Sequence, residues 1–145
     1  RNSNSYSEAG GIYEELRGVA GELQVPIWSA SQSNRAAMDE DIIQANNIAD
    51  SYRKIMTADF VMSLSRKVTD KVNNTARFHI IKNRFGPDGL TFPSKMNAGC
   101  GQIEIFSESS REGMALQNEM MDGENQVKKI LKNKWNAHSS TDDEE

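Results

Sequence analysis

The sequence has 145 residues, of which 37% are hydrophobic and 26% charged, and its formal net charge is −4 at pH 7. This composition is typical of one globular domain with its own core, and no apolar run approaches the about 18 residues that span a membrane. The acidic balance excludes a protein whose whole surface attracts nucleic acid. The single cysteine, Cys100, excludes an internal disulfide and is typical of a reducing compartment. We expect no metal site, because Cys100, His79 and His138 lack a zinc-ligand spacing.

The first part of the chain predicts a loop, a helix and a strand. Residues 1–11 are rich in Asn, Ser and Gly, which predicts a loop. Apolar residues then recur with a helical period from Ile12 to Leu23, which predicts an amphipathic helix. The segment "VPIWSAS", at 25–31, combines β-branched and aromatic residues and predicts a buried strand. A helix that leads directly into a continuous apolar strand indicates an α/β domain.

The rest of the chain predicts closely spaced strands and a final helix. We expect a short helix at "YRKIMTA", an exposed turn at "RKVTDKVNN", and strands at "DFVMSLS", "ARFHIIK", "GLTFPSKM" and "QIEIF". Because these strands follow one another without intervening helices, we expect the sheet to finish as an antiparallel meander. A long helix is predicted over 110–135, with Gly123 as a candidate break, before a disordered acidic tail. The pattern is typical of the second half of a nucleotide-binding α/β domain.

The polar residues that follow "VPIWSAS" form a first candidate site. In open α/β sheets, ligands bind at the carboxyl edge of the strands, and Gln32, Asn34 and Arg35 follow this predicted strand. A glutamine there can bond a phosphate oxygen or orient an attacking water, as nucleotide hydrolases require. The same residues are also compatible with a polar loop that caps the next segment.

A second candidate site lies where the strand "ARFHIIK" ends. Lys82 and Arg84 are two residues apart, so on an extended chain their side chains point to the same side. They are followed by the turn-forming residues Gly86, Pro87 and Gly89. Two cations held by a stiff turn can converge on one phosphate, and an arginine binds phosphate oxygens at two points. The alternative is a strand end with two solvated cations.

Three segments, "VPIWSASQSNR", "TADFVMSL" and "IIKNRFGPDGLTF", follow one another along the chain. In this order they resemble motifs of the DnaB-type replicative DNA helicases, which are hexameric ring motors with a RecA-like ATPase domain. The family's versions read roughly "VPVIALSQLNR", an "ADLIMF"-like strand and "KQRNGPIG", and the third motif is the most specific. The resemblance covers about residues 12–95 and is closest to the tailed-phage members.

This resemblance implies a role for each candidate site. Gln32 would sense the γ-phosphate of ATP and couple it to the DNA-binding loops. Lys82 and Arg84 would reach the ATP of the neighbouring subunit, with Arg84 as an arginine finger. Such fingers contribute about 10³–10⁵ to the rate of phosphoryl transfer.

The resemblance also implies DNA-binding loops that line a central channel. The segment from Ala36 to Thr57 matches one of them, and Arg35, Asn47, Arg53 and Lys54 are the local candidates for contacts with single-stranded DNA. The loop that begins at Arg1 would be the other. Solvated loops without a ligand are the alternative for both. The acidic net charge permits this role, because a ring needs positive charge only on its inner wall.

Two features of the family are not found in the sequence. It contains no G-x-x-x-x-G-K-[ST] loop for the phosphates of ATP. The family's apolar strand ending in an Asp that holds Mg²⁺ would come before Arg1 in the order of these motifs. We therefore expect ATP and Mg²⁺ to be bound mainly by residues upstream of this chain, and the chain alone to be inactive as an ATPase. The expected fold is α/β, as the C-terminal half of a RecA-like P-loop NTPase sheet with its flanking helices.

The predicted organisation is a RecA-like ATPase part over 1–106, a helical extension over 107–136 and a disordered acidic tail over 137–145. The resemblance implies a cytoplasmic protein, in a bacterium or a phage-infected host, that assembles as a hexamer, binds single-stranded DNA and has primase as a candidate partner. Two alternatives stay open: a RecA-like recombinase that forms filaments on DNA, and a non-catalytic interaction module. A closed ring that unwinds forks would separate the helicase from the recombinase.

Overall fold

The computed structural model describes residues 3–35, 37, 40–48 and 52–139. The chain is a mixed α/β protein whose strands form a four-stranded antiparallel sheet in the order β1-β2-β3-β4. The helices are α1 (Ser3–Leu23), α2 (Tyr52–Thr57), α3 (Val68–Asn73) and α4 (Arg111–Ser139), with a 3-10 turn at Ala45–Asn47. The strands are β1 (Phe60–Ser65), β2 (Thr75–Asn83), β3 (Thr91–Asn97) and β4 (Gln102–Ile105).

The sheet confirms the four strands predicted after residue 58 and their antiparallel meander. β1 and β2 pair from Phe60 opposite Asn83 to Ser65 opposite Arg77, with a bulge after Val61. A RecA-like sheet is mostly parallel, and no parallel pair of strands lies in the described part of the chain. The structure therefore shows the α/β class, and the finer RecA-like assignment belongs to the proposal below.

The buried strand predicted at 25–31 is wrong. This segment has no regular secondary structure, and its large apolar side chains are exposed, Trp28 to 72%. The ring of Trp28 contacts that of Phe60 edge to face, at 6.5 Å between centroids. A strand exists only by pairing with another strand, and among the described residues none pairs with this segment. The apolar pattern therefore predicted a strand for which the described sheet offers no neighbour.

Three helix boundaries also differ from the predictions. α1 begins at Ser3, within the predicted loop over 1–11. The predicted turn at 66–74 contains helix α3, which is capped at its C-terminal end by Asn74 in a left-handed conformation with φ 54°. α4 passes through Gly123 without a break and ends at Ser139, within the segment predicted to be a disordered tail. α3 was missed because a short polar segment carries little apolar periodicity, whereas α1 and α4 were predicted with shorter bounds.

The chain divides into two compact units, and residues 1–65 with 77–91 form the first. There α1 packs against α2 so closely that a Cβ on Gly10 would lie 2.8 Å from the Arg53 side chain. The loop after residue 33 is closed by a bridge between Ser33 and Ile48. Buried Ser63 and Ser65 on β1 donate hydrogen bonds of 2.8 Å to the backbone of this loop. These contacts hold the loop and α2 in place.

Residues 66–76 with 92–145 form the second unit. Its centre is Asp70, which is 2% exposed and accepts hydrogen bonds from the Lys67 backbone N–H and the Thr75 hydroxyl. Ser110 comes directly before α4, and its hydroxyl accepts the backbone N–H of Gly113 as an N-terminal cap. The side chains of Leu116 and Met120, one turn apart on α4, are buried. The boundary predicted between an ATPase part over 1–106 and a helical extension over 107–136 stays a prediction.

Candidate functional site

The candidate site is built on the turn that follows β2. Ile80 exchanges backbone hydrogen bonds with Gly89 and Leu90, at 2.8 and 2.9 Å, and so closes the base of this turn. Gly89 has φ +74°, a conformation that favours glycine over residues with a Cβ. The turn therefore leaves the sheet and returns to it at fixed points.

Asn83 fixes the tip of the same turn. Its carboxamide oxygen accepts the Phe85 backbone N–H at 3.2 Å, and its amide nitrogen donates to the Pro87 carbonyl at 3.3 Å. A Cβ on Gly86 would lie 2.9 Å from that amide nitrogen, so only glycine fits without moving it. The stiff turn predicted from Gly86, Pro87 and Gly89 is therefore present, and Asn83 is its internal brace.

Lys82 lies directly before this brace and points to the end of helix α2. Its Nζ donates to the Ile55 carbonyl at 2.8 Å and to the Met56 carbonyl at 3.0 Å. These are last-turn carbonyls, where the helix dipole favours a cation. Burial, followed by the nearby Arg84 charge, lowers the pKa of Lys82 below its usual range. Lys82 thus ties the end of β2 to α2.

Arg84 and Arg17 share one carboxylate. Nη1 of Arg84 lies 2.8 Å from Oδ1 of Asp59, and Nη2 of Arg17 lies 2.9 Å from the same oxygen. The backbone N–H of Arg84 also donates to the Asp59 carbonyl at 2.9 Å. Arg17 reaches further and donates to the Thr57 carbonyl at the end of α2. The strand end, the helix end and α1 therefore meet at Asp59.

The cluster has more positive than negative charge. Arg17 and Arg84 pair with the carboxylate of Asp59, and the charge of Lys82 lies close to all three. No second carboxylate joins these ion pairs among the residues that the structure describes. The side chains of Arg84 and Asp59 are 43% and 42% exposed, so the ion pair is open to solvent. Guanidinium groups in such a setting suit phosphate, whose oxygens match their forked donors. A phosphate group from solvent can therefore reach the guanidinium of Arg84 without any change that exposes it.

Arg17 was not predicted from the sequence. It belongs to the helix predicted over 12–23, but it lies outside the apolar positions on which that prediction depends. Arg17 and Asp59 are 42 residues apart in the chain, so only the fold brings them together. Asp59 itself lies in the quoted motif "TADFVMSL", where sequence reasoning used the apolar strand and missed the carboxylate.

Gln32 lies in the irregular segment before the loop. Its side chain is exposed, and the structure describes no hydrogen bond that it makes. The neighbouring Ser31 hydroxyl accepts a hydrogen bond from Nζ of Lys54 at 3.3 Å. The charges of Lys82 and Arg84 lie close to each other. The segment before Gln32 reaches this region through α2 and through the contact of Trp28 with Phe60, next to Asp59.

Two predicted DNA contacts, Arg53 and Lys54, lie on α2. The Arg53 side chain is exposed beside Gly10 of α1. Lys54 places its Nζ 5.5 Å from the centre of the Tyr13 ring, in a cation–π geometry. The Tyr13 hydroxyl accepts a hydrogen bond from Ser29 at 3.3 Å. Helix α2 therefore contacts the Gln32 segment on one side and Lys82 at its end.

The other predicted DNA contacts have different surroundings. Arg35 is exposed at the start of the loop. Asn47 is 7% exposed, and its Oδ1 accepts the Gln44 backbone N–H at 3.0 Å, so it braces the loop from inside. Arg1 lies outside the described residues.

Neither a metal site nor a membrane helix is found in the described ranges. Residues 3–35, 37, 40–48 and 52–139 contain no group of three or more His, Cys, Asp and Glu side chains that could hold a metal ion. No helix among them is long and apolar enough to cross a membrane.

Comparison with known proteins gives one informative similarity. No protein-family model matches the chain. Over 83 residues the chain is 31% identical to the DnaB-like replicative helicase of Enterobacteria phage T4. This is a distant and partial relation to a DnaB-like replicative helicase. The match covers 57% of this chain but only 18% of that helicase.

Proposed function

We propose that the chain is part of an ATP-dependent replicative DNA helicase with a RecA-like motor domain. In this proposal Arg84 is an arginine finger that acts on ATP bound to the neighbouring subunit, and Lys82 supports it. Gln32 senses the γ-phosphate and passes the signal to the DNA-binding loops. The phosphate-cradling loop would have to be supplied by a part of the protein outside these 145 residues.

The observation that carries the proposal is the cluster at the end of β2, in a chain similar to a replicative helicase. Arg84 has its guanidinium half exposed and its backbone fixed by the Asp59 carbonyl. Asn83 and Gly89 stiffen the turn that presents it. A finger needs this combination, because its charge must be available to a phosphate while its position is set in advance.

The described side chains fit the phosphate end of ATP better than its metal ion. Arg84 and Lys82 supply the positive charge that stabilises a transferring phosphoryl group. ATP bound there would supply the phosphoryl group that is transferred to water. For Mg²⁺ the described residues offer no cluster of three ligands, so we assign no metal contact to them.

Helix α2 supports the proposed link between ATP and DNA. Lys54 and Arg53 on its side are proposed to contact DNA phosphates, together with Arg35 at the start of the loop. The last carbonyls of the same helix bind Lys82. A shift of α2 would therefore change both places together. Asn47 is proposed to hold the loop's shape, and Arg1 stays a prediction.

The assembly and its location are proposed on the same basis. A finger acting across subunits requires self-association, and the helicase proposal implies a hexameric ring around single-stranded DNA in the cytoplasm. Primase is a proposed partner.

The proposal is tested by kinetics of the complete protein. Arg84→Ala should lower the turnover of ATP by at least about 10³-fold, while ATP binding per subunit changes little. Arg84→Lys should recover little of the loss, because an ammonium group cannot make the forked contact. Arg111→Ala, an exposed arginine at the start of α4, is the matched control and should turn over at the wild-type rate.

Two results would contradict the helicase proposal. One is an Arg84→Ala protein that hydrolyses ATP at full speed. The other is a wild-type protein that exchanges strands along a filament but does not unwind a fork, which would support the recombinase instead.

A further inference from the structure

Asp59 makes three contacts with the two arginines of the cluster. Its Oδ1 accepts from Arg84 at 2.8 Å and from Arg17 at 2.9 Å, and its backbone carbonyl accepts the Arg84 N–H at 2.9 Å. Main chain and side chain of one residue thus hold both the backbone and the guanidinium of Arg84. Asp59 lies just before β1, and Phe60 pairs with Asn83, so this anchor is built into the sheet.

We infer that Asp59 is a positioning residue for Arg84, and that Arg17 keeps the Asp59 carboxylate paired when Arg84 moves to a phosphate. This inference rests on the proposed function. Asp59 does not touch ATP in this account and acts only through the guanidinium of Arg84.

Arg17 makes the release of Arg84 inexpensive. If Arg84 left Asp59 with no other partner, the carboxylate would keep an uncompensated charge. Arg17 remains bonded to the same oxygen and to the Thr57 carbonyl, so the carboxylate stays paired. An ion pair as exposed as Arg84–Asp59 shifts an equilibrium by only about twofold to fivefold. A phosphate contact that accelerates turnover by about 10³-fold or more outweighs it easily.

Asp59 affects the rate mainly through the position of the Arg84 guanidinium, and less through the energy of the ion pair. Displacement of a catalytic group by about 1 Å can cost about 10²-fold in rate. Without the Asp59 carboxylate, Arg84 has two neighbouring cations, Lys82 and Arg17, and the described part of the chain shows no other ion pair for it. Repulsion would then spread the guanidinium over many positions. Asp59 therefore sets the starting point of the finger without holding it back.

The test is a double-mutant cycle in the complete protein. Asp59→Ala should lower kcat for ATP by about tenfold to hundredfold with KM for ATP nearly unchanged. Asp59→Asn keeps an oxygen that can accept both arginines but lacks the negative charge, so it should recover only part of the loss. Asp88→Ala changes an exposed aspartate of the same turn, for which the structure describes no ion pair, and should leave kcat unchanged.

The decisive comparison is made in the Arg84→Ala background. If Asp59 acts through Arg84, adding Asp59→Ala there should lower kcat no further. An equal loss in both backgrounds, or an unchanged kcat of Asp59→Ala, would overturn the inference while leaving the finger intact. Full activity of Arg84→Ala alone would instead contradict the proposed function. If Asp59→Ala does not fold, Asp59→Asn is used in the same cycle, and its smaller loss must also vanish without Arg84.

Discussion

Two aspartates, near the two ends of β2, have different partners and different exposure to solvent. Asp70, beside Thr75 where β2 begins, is 2% exposed and has its oxygens bonded to the Lys67 N–H and the Thr75 hydroxyl. Asp59, beyond Asn83 where β2 ends, is half exposed and bonded to two arginines. The Arg66 side chain near Asp70 donates to the backbone carbonyls of Thr75 and Asp70.

The difference separates a structural cluster from one that can receive a ligand. Around Asp70 the donors and acceptors are buried and engaged in holding α3 to β2. Around Asp59 positive charge exceeds negative charge, and solvent reaches the pair. A phosphate could add to the second cluster with little rearrangement, whereas in the first it would have to displace buried hydrogen bonds, which is costly.

The largest effect on stability is expected at Asp70. Asp70→Ala would leave the buried Thr75 hydroxyl and the Lys67 N–H without their acceptor, and it should lower the free energy of unfolding by about 2–4 kcal/mol. Urea denaturation of the chain measures this value. A loss below about 0.5 kcal/mol would mean that water replaces the carboxylate, and it would contradict the burial of the hydrogen bonds around Asp70.

Two glycines in helices differ in the space around their Cα atoms, and alanine substitutions at the two positions should therefore have opposite effects on stability. A Cβ on Gly113 would overlap the Ser107 carbonyl oxygen, whereas a Cβ on Gly18 in α1 would have no other atom within 4 Å. Gly113→Ala should destabilise the chain by about 1–3 kcal/mol through overpacking. Gly18→Ala should stabilise it by up to about 1 kcal/mol, because alanine favours the helix. Thermal melting of the two variants should shift in opposite directions, and a shift in the same direction would contradict the packing described at Gly113.

A smaller stability effect is expected at Asp59. Because its ion pairs are half exposed, Asp59→Ala should lower the free energy of unfolding by less than about 1 kcal/mol. The same urea titration used for Asp70→Ala gives the direct comparison. If Asp59→Ala cost as much as Asp70→Ala, the cluster at the end of β2 would be a structural one.

The smallest expected effect is a dependence of stability on pH through His79. Burial lowers the pKa of His79 below its ordinary value of 6.5, against a hydrogen bond with the Leu90 backbone that raises it. The unfolded chain therefore binds the proton more readily, so stability should be lost as the pH falls below 6.5. The difference in unfolding free energy between wild type and His79→Gln, measured at about pH 8 and about pH 5.5, should shift against the wild type at the lower pH. A constant difference would contradict the burial of His79.

The sequence predicted the strands and the cation pair because both depend on local patterns. Short apolar segments predicted β1 to β4. The spacing of Lys82 and Arg84 predicted side chains on the same side of the strand, and in the structure Lys82 binds the end of α2 while Arg84 binds Asp59. Asp59 and Arg17 could not be predicted in the same way. Their contact joins residues 42 apart, and such pairs are decided by how helices pack on the sheet.

The wrong strand at 25–31 has the same origin. Its apolar and β-branched residues give a strong local signal, but a strand also needs a partner with free backbone groups. Local pattern cannot supply that information. The exposed Trp28 shows where the local preference was not met by the described fold.

The central claim is that Arg84 acts on ATP held by a neighbouring subunit, and subunit mixing tests it most directly. Subunits carrying Arg84→Ala are combined with subunits whose phosphate-binding loop has been inactivated, and ATP turnover is measured against each variant alone. A mixed interface can pair an intact loop with an intact Arg84, so turnover should rise clearly above that of either variant. If no mixing ratio restores turnover, Arg84 does not act across the interface and the account is contradicted.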